Sequence, residues 1–326
     1  MTDINKYKNI TWNLPLLFQA DIIWGAIYNK IKSYNLEPPK VNLYGTPAQR
    51  WIGGTIPRVK EKLQKNVLYE HFKYVKEMEA TPILDFTSTR ITEEDLKDEY
   101  ANYILDIALE FDCNFMVHSD FLKDYIKEKK PSVKIISSHT KPVYRFQGPN
   151  RIEEPTIENE TNYYNKLLKE YDIVVVRPEY SKYTLLKNSN LIDDISRIEV
   201  LINQPCTINC PKMPEHFMHL ENISKIPNYC VNFECTRSNM PPAVLYENNL
   251  IHNDKTINSL INIGVKNLMQ ISRQIDAPPI TASETIQNMF NTDGSNHLLL
   301  TETIPHAIQD EIAKYNQRIN KILNPN

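Results

Sequence analysis

Residues 82–120, PILDFTSTRITEEDLKDEYANYILDIALEFDCNFMVHSD, contain a complete strand–helix–strand unit. The apolar runs at 82–86 and 114–118 have the length and composition of buried strands. Residues 92–111 lie between them and place their apolar side chains at helical spacing. Thr92, with an acid three residues later, resembles a capping box at the start of this helix. The stretch therefore predicts two parallel strands joined by a helix.

The same alternation of strands and helices continues along most of the chain. Amphipathic segments at 156–171 and 310–323 have helical spacing. Repetition of this unit predicts a parallel sheet covered by helices. The number of units favours an α/β fold of the (β/α) TIM-like barrel type in a single domain, and a doubly wound open sheet is the alternative. The other strand candidates are VNLYG (41–45), KIISS (134–138), DIVVVR (172–177), IEVLIN (198–203) and LMQIS (268–272).

Two stretches do not follow the alternation. Residues 1–40 are expected to form an N-terminal extension that precedes a barrel domain at 41–326. Residues 204–262 are longer than an ordinary strand-to-helix connection and are expected to form an insertion that carries most of the cysteines. An insertion of this size within a compact domain is usually functional.

Composition and charge limit the possible environments and partners. The 37 basic and 40 acidic residues are evenly mixed and give a net charge of −3. This balance gives no electrostatic support for nucleic-acid binding, although RNA contact through a local basic patch is left open. No apolar run approaches the roughly 20 residues that a membrane helix needs, and the N-terminus lacks a signal-peptide pattern. We expect a cytoplasmic protein with five reduced cysteines and no membrane association, and the sequence identifies no particular partner protein.

Polar side chains follow the predicted strands at their carboxyl ends, where a barrel of this type carries its chemistry. His118 and Asp120 come directly after one strand, and His139 follows the next one. Histidine titrates near neutral pH, so these residues are candidates for catalytic proton transfer. The alternative is that they are polar loop residues that face water.

Two arginines also lie at strand ends and are candidates for substrate binding. Arg177 and Arg273 could each bind the carboxylate of a small molecule through two parallel hydrogen bonds. Glu179 and Asn203 are expected at the same mouth and are further candidates for substrate binding. The alternative for either arginine is an ion pair with Glu179 or with another acid of the barrel.

Four of the five cysteines lie within thirty residues of one another. The spacing is C-x3-C for Cys206 and Cys210, followed after nineteen residues by C-x4-C for Cys230 and Cys235. Two close pairs separated by a loop can surround one metal centre. The spacing is looser than that of zinc ribbons, and a proline follows the second cysteine, which favours an iron–sulfur cluster.

Other interpretations of these cysteines remain open. A structural zinc site could use all four cysteines, or the first pair with His216 and His219. Unligated thiols are the third possibility, because free cysteine is often only a small buried hydrophobe. Glu215 and His216 follow the first pair closely and could serve as catalytic groups or hydrogen-bond partners beside a metal. Cys113 precedes an apolar strand and is expected in the core.

Three features belong together: the strand and loop EVLINQPCTINCP (199–211), the second cysteine pair, and the segment IGVKNLMQISRQ (263–274). Together they resemble peptidase family U-32, the collagenase-like peptidases. The resemblance covers mainly residues 198–275. The residues that match the family's later motif are Gly264, Val265, Ile271 and Arg273, and Ser272 stands where the family has glycine.

The resemblance implies a (β/α) barrel in which Cys206, Cys210, Cys230 and Cys235 hold a [4Fe–4S] cluster. It also implies oxygen-independent hydroxylation of a small molecule or an RNA base, with prephenate as oxygen donor, whereas other members carry a peptidase label. No Ser-His-Asp, Cys-His or HExxH arrangement is recognisable, which argues against peptidase chemistry. The alternative functions are a zinc-stapled, non-catalytic binding or assembly protein and a metal-free barrel hydrolase or peptidase.

Overall fold

Eight parallel strands close into a barrel, in which each strand pairs with the next along the chain and the last pairs with the first. The (β/α) TIM-like barrel predicted from the sequence is confirmed. The strands are β1 Thr11–Pro15, β2 Lys40–Gly45, β3 Ala80–Phe86, β4 Asn114–Val117, β5 Ile135–Ser137, β6 Ile173–Val175, β7 Ile198–Leu201 and β8 Asn267–Met269. The structure, a computed structural model, describes residues 9–15, 17–33, 35, 37–54, 62–204, 206, 209–226, 228–234, 254–271, 309–314 and 316–324.

Helices surround this barrel and cover its outer face. None of those in the described residues is long and apolar enough to cross a membrane. They are α1 Leu17–Ser33, α2 Lys65–Glu77, α3 Glu99–Glu110, α4 Asp120–Lys129, α5 Thr140–Phe146, α6 Ile157–Glu170, α7 Pro178–Tyr180, α8 Leu186–Asn188, α9 Met213–Lys225 and α10 Asp254–Asn262, with further helical turns at 309–314 and 316–323.

The strands present alternating faces to two separate apolar layers. On β7, Ile198 and Val200 pack outward with the helices, and Leu201 packs inward. The inward layer lies inside the barrel and is formed by Tyr44, Ile83, Met116, Ile136, Val175, Leu201 and Met269. This alternation follows from the two-residue period of a strand. Because all eight strands run parallel, their carboxyl ends lie at one mouth of the barrel.

The first strand of the barrel lies within residues 1–40, so the expected N-terminal extension is wrong for this part of the chain. β1 pairs with β2 on one side and with β8 on the other, and it closes the barrel. Trp12 and Leu14 are buried on its outer face, while the polar Asn13 is fully buried between them. Because polar and apolar residues alternate here, the stretch lacks the continuous apolar run that identified the other strands.

The start of α3 also differs from the prediction. Thr92 and Asp95 do form a reciprocal capping arrangement, in which Thr92 N donates to Asp95 Oδ2 at 2.9 Å and Asp95 N donates to Thr92 Oγ1 at 3.3 Å. This arrangement caps only a short 3-10 turn, Asp95–Lys97. The helix itself begins at Glu99, where Asp98 accepts a hydrogen bond from Ala101 N.

The long segment at 204–262 contains two helices within its described part. α10 packs into the outer layer through Ile257 and Leu260, as a regular helix of the barrel does. α9 instead packs on α5 and lies over the mouth of the barrel. The segment therefore combines one ordinary barrel helix with one helix that contributes to the candidate site.

Candidate functional site

Helix α9 covers one sector of the mouth, above the ends of β3, β4 and β5. Its Glu221 is fully buried and accepts hydrogen bonds from Ser88 Oγ at 2.9 Å and from Thr89 Oγ1 at 2.8 Å. At the other end of the helix, Tyr144 OH on α5 donates to Pro214 O at 3.0 Å. The helix is therefore fixed at one end to the loop after β3 and at the other end to α5.

Glu221 keeps its negative charge in this buried position. Lys225 Nζ lies 2.7 Å from Glu221 Oε1 and also donates to Ser88 Oγ. Burial raises the pKa of Glu221, but the hydrogen bonds from Lys225 and Thr89 outweigh burial and hold that pKa below its ordinary value. Burial also lowers the pKa of Lys225, against the opposite effect of Glu221. Arg90 Nε lies 3.5 Å from the same Glu221 Oε1, so Glu221 has two cationic partners, whereas Lys225 depends on Glu221 for its ion pair.

His118 lies at the end of β4, below α9, in a chain of hydroxyl groups. Its Nδ1 is 2.8 Å from Thr140 Oγ1, and that hydroxyl donates to Ser138 Oγ at 3.0 Å. Its ring packs edge to face against Tyr144 at 5.5 Å. Burial, with a smaller effect from Lys141, lowers the pKa of His118 to about 3. The imidazole is therefore neutral at physiological pH. In this form it can donate and accept hydrogen bonds, but it is not protonated to the cation that a general acid would need.

His139 lies beside the apolar cluster that contains the first cysteine pair. Its ring packs edge to face on Phe217 at 5.2 Å. Burial lowers the pKa of His139 to about 4. Its Nδ1 is buried and makes no hydrogen bond with the described residues. A neutral imidazole with one open nitrogen can bind a ligand group or a water at this position.

Asp120, the third candidate for proton transfer, is engaged by two neighbours. Lys141 Nζ donates to its Oδ1 at 2.9 Å, and Tyr171 OH donates to the same oxygen. Burial raises the pKa of Asp120, but the bonds from Tyr171 and Lys141 outweigh burial, and the pKa lies below its ordinary value. The carboxylate remains charged at neutral pH, which suits an acceptor of hydrogen bonds better than a proton donor.

Arg177 forms an ion pair within the protein, which is the alternative that the sequence left open. Its Nη2 donates to Glu160 Oε1 at 2.7 Å and its Nε donates to Glu160 Oε2 at 3.3 Å. Its Nη1 lies 3.7 Å from Glu179 Oε2. The edge of the guanidinium that was expected to bind the carboxylate of a small molecule is therefore occupied by Glu160. Arg177 and Glu179 therefore pair within the protein, and their role in substrate binding stays a prediction.

Asn203 also has a structural role at the mouth. Its Nδ2 donates to Ile271 O and its Oδ1 accepts from Ile271 N, both at 2.7 Å. The side chain thus continues the pairing of β7 with β8 beyond the last strand residues. Arg273, the other predicted arginine, lies outside the described residues.

The first cysteine pair lies at the end of β7, in a small apolar cluster under α9. Cys210 is buried with Val143, Met213 and Phe217, and Cys206 packs against the same cluster. Both of them are thiols. The cluster thus brings the two cysteines of the C-x3-C pair to one place, and Phe217 joins that place to His139.

The second cysteine pair is only partly described. Cys230 is an exposed thiol, and Cys235 lies outside the described residues. Within the part of the chain that the structure describes, no three side chains of His, Cys, Asp or Glu come together in a way that would hold a metal ion. Cys113 is buried in the core as expected, and burial raises the pKa of its thiol.

His216 and His219 stack on a ring from the segment that carries Cys230. Phe233 lies 5.0 Å from the His216 ring and 5.3 Å from the His219 ring. His219 Nδ1 is also 3.4 Å from Tyr229 OH. Burial, with a smaller effect from His219, lowers the pKa of His216. These contacts hold residues 228–234 along α9, and Glu215 is exposed in the first turn of the same helix.

Sequence reasoning missed the side chains that join distant parts of the chain at the mouth. They are Tyr144, Glu160, Phe217, Glu221 and Lys225. A weak signal exists for the last two, because an acid four residues before a lysine on a helix predicts an ion pair. That pattern normally predicts a solvent-exposed pair, whereas this one is buried against the loop after β3.

Similarity to known proteins is found in the fold and not in the sequence. No protein-family model matches the chain, and no curated protein matches it significantly. Among solved structures, it matches the U32 peptidase Mk0906 with a TM-score of 0.51 over 81% of this chain and 93% of that one. The chain has the fold of a U32 peptidase. This match confirms the predicted resemblance at the level of the fold. Because the two sequences are only 9% identical, the match extends no further than the fold.

A second solved structure gives a weaker match. It is the 3-keto-D-glucoside 4-epimerase YcjR from E. coli in its apo form, with a TM-score of 0.29 and 8% identity. The match covers 82% of this chain and 86% of that one. At this TM-score the match supports no inference about the site.

Proposed function

We propose that the chain is a divergent U32-like barrel enzyme in which Cys206, Cys210, Cys230 and Cys235 hold a [4Fe–4S] cluster at the mouth. The observation that supports this proposal most strongly is the place of the first cysteine pair. Cys206 and Cys210 share one apolar cluster at the carboxyl end of β7, where a barrel enzyme carries its chemistry.

The surroundings of these two thiols suit a cluster. Val143, Met213 and Phe217 form an apolar wall, and burial of this kind is one of the factors that set the potential of an iron–sulfur centre. Buried thiolates are costly unless a metal compensates their charge, so the four cysteines are expected to act as a unit. When bound, such a cluster supplies one-electron transfer.

The reaction we propose is the oxygen-independent hydroxylation of a small molecule or an RNA base, in which prephenate would donate the oxygen atom and be reduced, as the U-32 resemblance implies. The neutral His118 would orient a polar group of the substrate, because Thr140 fixes its ring through Nδ1. The open Nδ1 of His139 would accept or donate a second hydrogen bond. Helix α9 would exclude water from this sector of the mouth, since Glu221 and Tyr144 fix both of its ends.

Arg273 remains the proposed ligand for a substrate carboxylate, because Glu160 already occupies the corresponding edge of Arg177. Binding of a carboxylate ligand such as prephenate to the Arg273→Ala variant, measured by calorimetry, should be weaker by about tenfold or more. Unchanged binding would remove Arg273 from the site.

Metal analysis of the full chain purified without oxygen tests this proposal against its alternatives. We expect brown protein with about four irons and four sulfides per chain. One zinc per chain without iron would instead support the zinc-stapled binding or assembly protein. Absence of both metals would leave the metal-free hydrolase or peptidase.

A further inference from the structure

Asn209, the residue before Cys210, is anchored by a buried carboxylate. Glu179 Oε1 accepts a hydrogen bond from Asn209 N at 2.8 Å. Asn209 directly precedes Cys210 and has a φ of 51°, in the left-handed region that asparagine adopts more readily than most residues other than glycine. The hydrogen bond therefore fixes the backbone of a turn residue immediately before the buried thiol.

Glu179 is itself held in place by buried neighbours. Arg177 Nη1 lies 3.7 Å from Glu179 Oε2 and donates to Asn209 Oδ1 at 3.4 Å. Gln147 Nε2 donates to Glu179 Oε1 at 3.5 Å. Arg177 is in turn fixed by Glu160, and the three charged side chains are between 2% and 7% exposed. These three side chains are expected to keep their positions, because breaking one of the ion pairs would leave a buried charge without a partner.

We propose that Glu179 is a positioning residue that keeps Cys210 in its buried place, and that Arg177 orients Glu179 for this task. The role in metal binding rests on the proposed function, whereas the placement of the thiol does not. Outer partners of metal ligands commonly change metal affinity by about 10- to 100-fold when they are removed. Glu179 does not contact the proposed ligand Cys210 directly and acts through the backbone N–H of the preceding residue, Asn209.

Three variants separate this role from general destabilisation. Glu179→Ala removes the acceptor for Asn209 N, whereas Glu179→Gln keeps an oxygen at that position and removes the charge. Glu153→Gln is the matched control, because Glu153 pairs with Arg145 and not with the described residues of the cysteine loop. The measurement is the alkylation rate of each cysteine by iodoacetamide, followed by peptide mass spectrometry, in the full chain before and after treatment with a chelator.

After chelation, we expect iodoacetamide to alkylate Cys210 about tenfold faster in Glu179→Ala than in the native chain. The rate in Glu179→Gln should be much closer to the native rate. Cys113, buried in the core, and the exposed Cys230 serve as slow and fast internal references and should not change. The proposal is overturned by an unchanged rate at Cys210, or by a rate at Cys113 that rises in parallel.

Metal content gives the second readout and separates this proposal from the metal proposal. If the native chain binds metal, Glu179→Ala should retain less of it than Glu153→Gln during dialysis against a chelator. Native protein without metal, together with faster alkylation of Cys210, would contradict the proposed function and leave the positioning role standing.

Discussion

Glu199 places an ionisable carboxyl group inside the barrel, where side chains are usually apolar. It is fully buried on β7, and neither of its oxygens makes a hydrogen bond with the described residues. Burial raises the pKa of Glu199 to about 7, although the neighbouring Asn13 side chain acts in the opposite direction. The group is therefore substantially protonated in the folded protein near neutral pH.

The raised pKa predicts a loss of stability with rising pH. In the unfolded chain Glu199 loses its proton near its ordinary pKa of 4.5, whereas in the folded chain it keeps the proton up to about pH 7. The free energy of unfolding should therefore fall through this window, by roughly 3 kcal/mol in total, and level off above it. Glu199→Gln should remove this fall, because its amide stays neutral at every pH.

Urea unfolding at pH 5 and pH 8 measures this effect for the native chain and the variant. We expect similar stability of the two at low pH and a more stable variant at pH 8. His118 and His139 also make the free energy of unfolding depend on pH, because their pKa values are lowered in the folded protein. This contribution is the same in both proteins and cancels when their free energies of unfolding are subtracted. The same pH dependence in both proteins would show that Glu199 does not carry the effect.

At the scale of elements, a strand could be predicted where its apolar residues form a continuous run and could not where polar residues alternate with them. β6 could be predicted from the β-branched run at 173–175, whereas β1 could not, because Thr11 and Asn13 interrupt its apolar residues. The same holds for helix ends: the capping pattern at Thr92 is real, but a short 3-10 turn uses it before α3 begins.

The candidate site was predictable only where it depends on strand ends. His118 and His139 follow predicted strands, so their place at the mouth could be expected from the fold. Their environment could not, because Phe217 and Glu221 reach the mouth from a helix much further along the chain. Arg177 shows the same limit, since its partner Glu160 lies on a helix and is not marked by any motif.

Helix α9 should depend on the single acid that ties it to the mouth. Glu221→Ala removes the acceptor for Ser88 and Thr89 and leaves the ammonium of Lys225 buried without its partner, at a cost of about 3–5 kcal/mol. We expect faster hydrogen exchange in residues 213–225, while the barrel strands remain protected.

Glu215→Ala is the matched control, because Glu215 is an exposed acid on the same helix. It should leave exchange in α9 unchanged. Equal exchange in the two variants would mean that Glu221 does not hold the helix.

At the scale of the molecule, the barrel closes through its first strand. Because β1 is paired on both sides, a chain that begins at residue 41 would expose the edges of β2 and β8 and lose the buried Trp12 and Leu14. We expect this truncated chain to aggregate or to unfold without a cooperative transition, as measured by circular dichroism during heating. A cooperative transition close to that of the full chain would contradict the role of β1 in closure.

The proposed cluster unites two parts of the molecule, the loop after β7 and the segment beyond α9. The most direct measurement is iron and sulfide content, determined without oxygen, of four single variants: Cys206→Ser, Cys210→Ser, Cys230→Ser and Cys235→Ser. Cys113→Ala is the control, because its thiol lies in the core away from the mouth. We predict that each of the four loses most of its iron while the control keeps about four irons per chain. Iron that is equally low in the native chain and in the control, or that survives loss of Cys230 or Cys235, would contradict a cluster shared by all four cysteines.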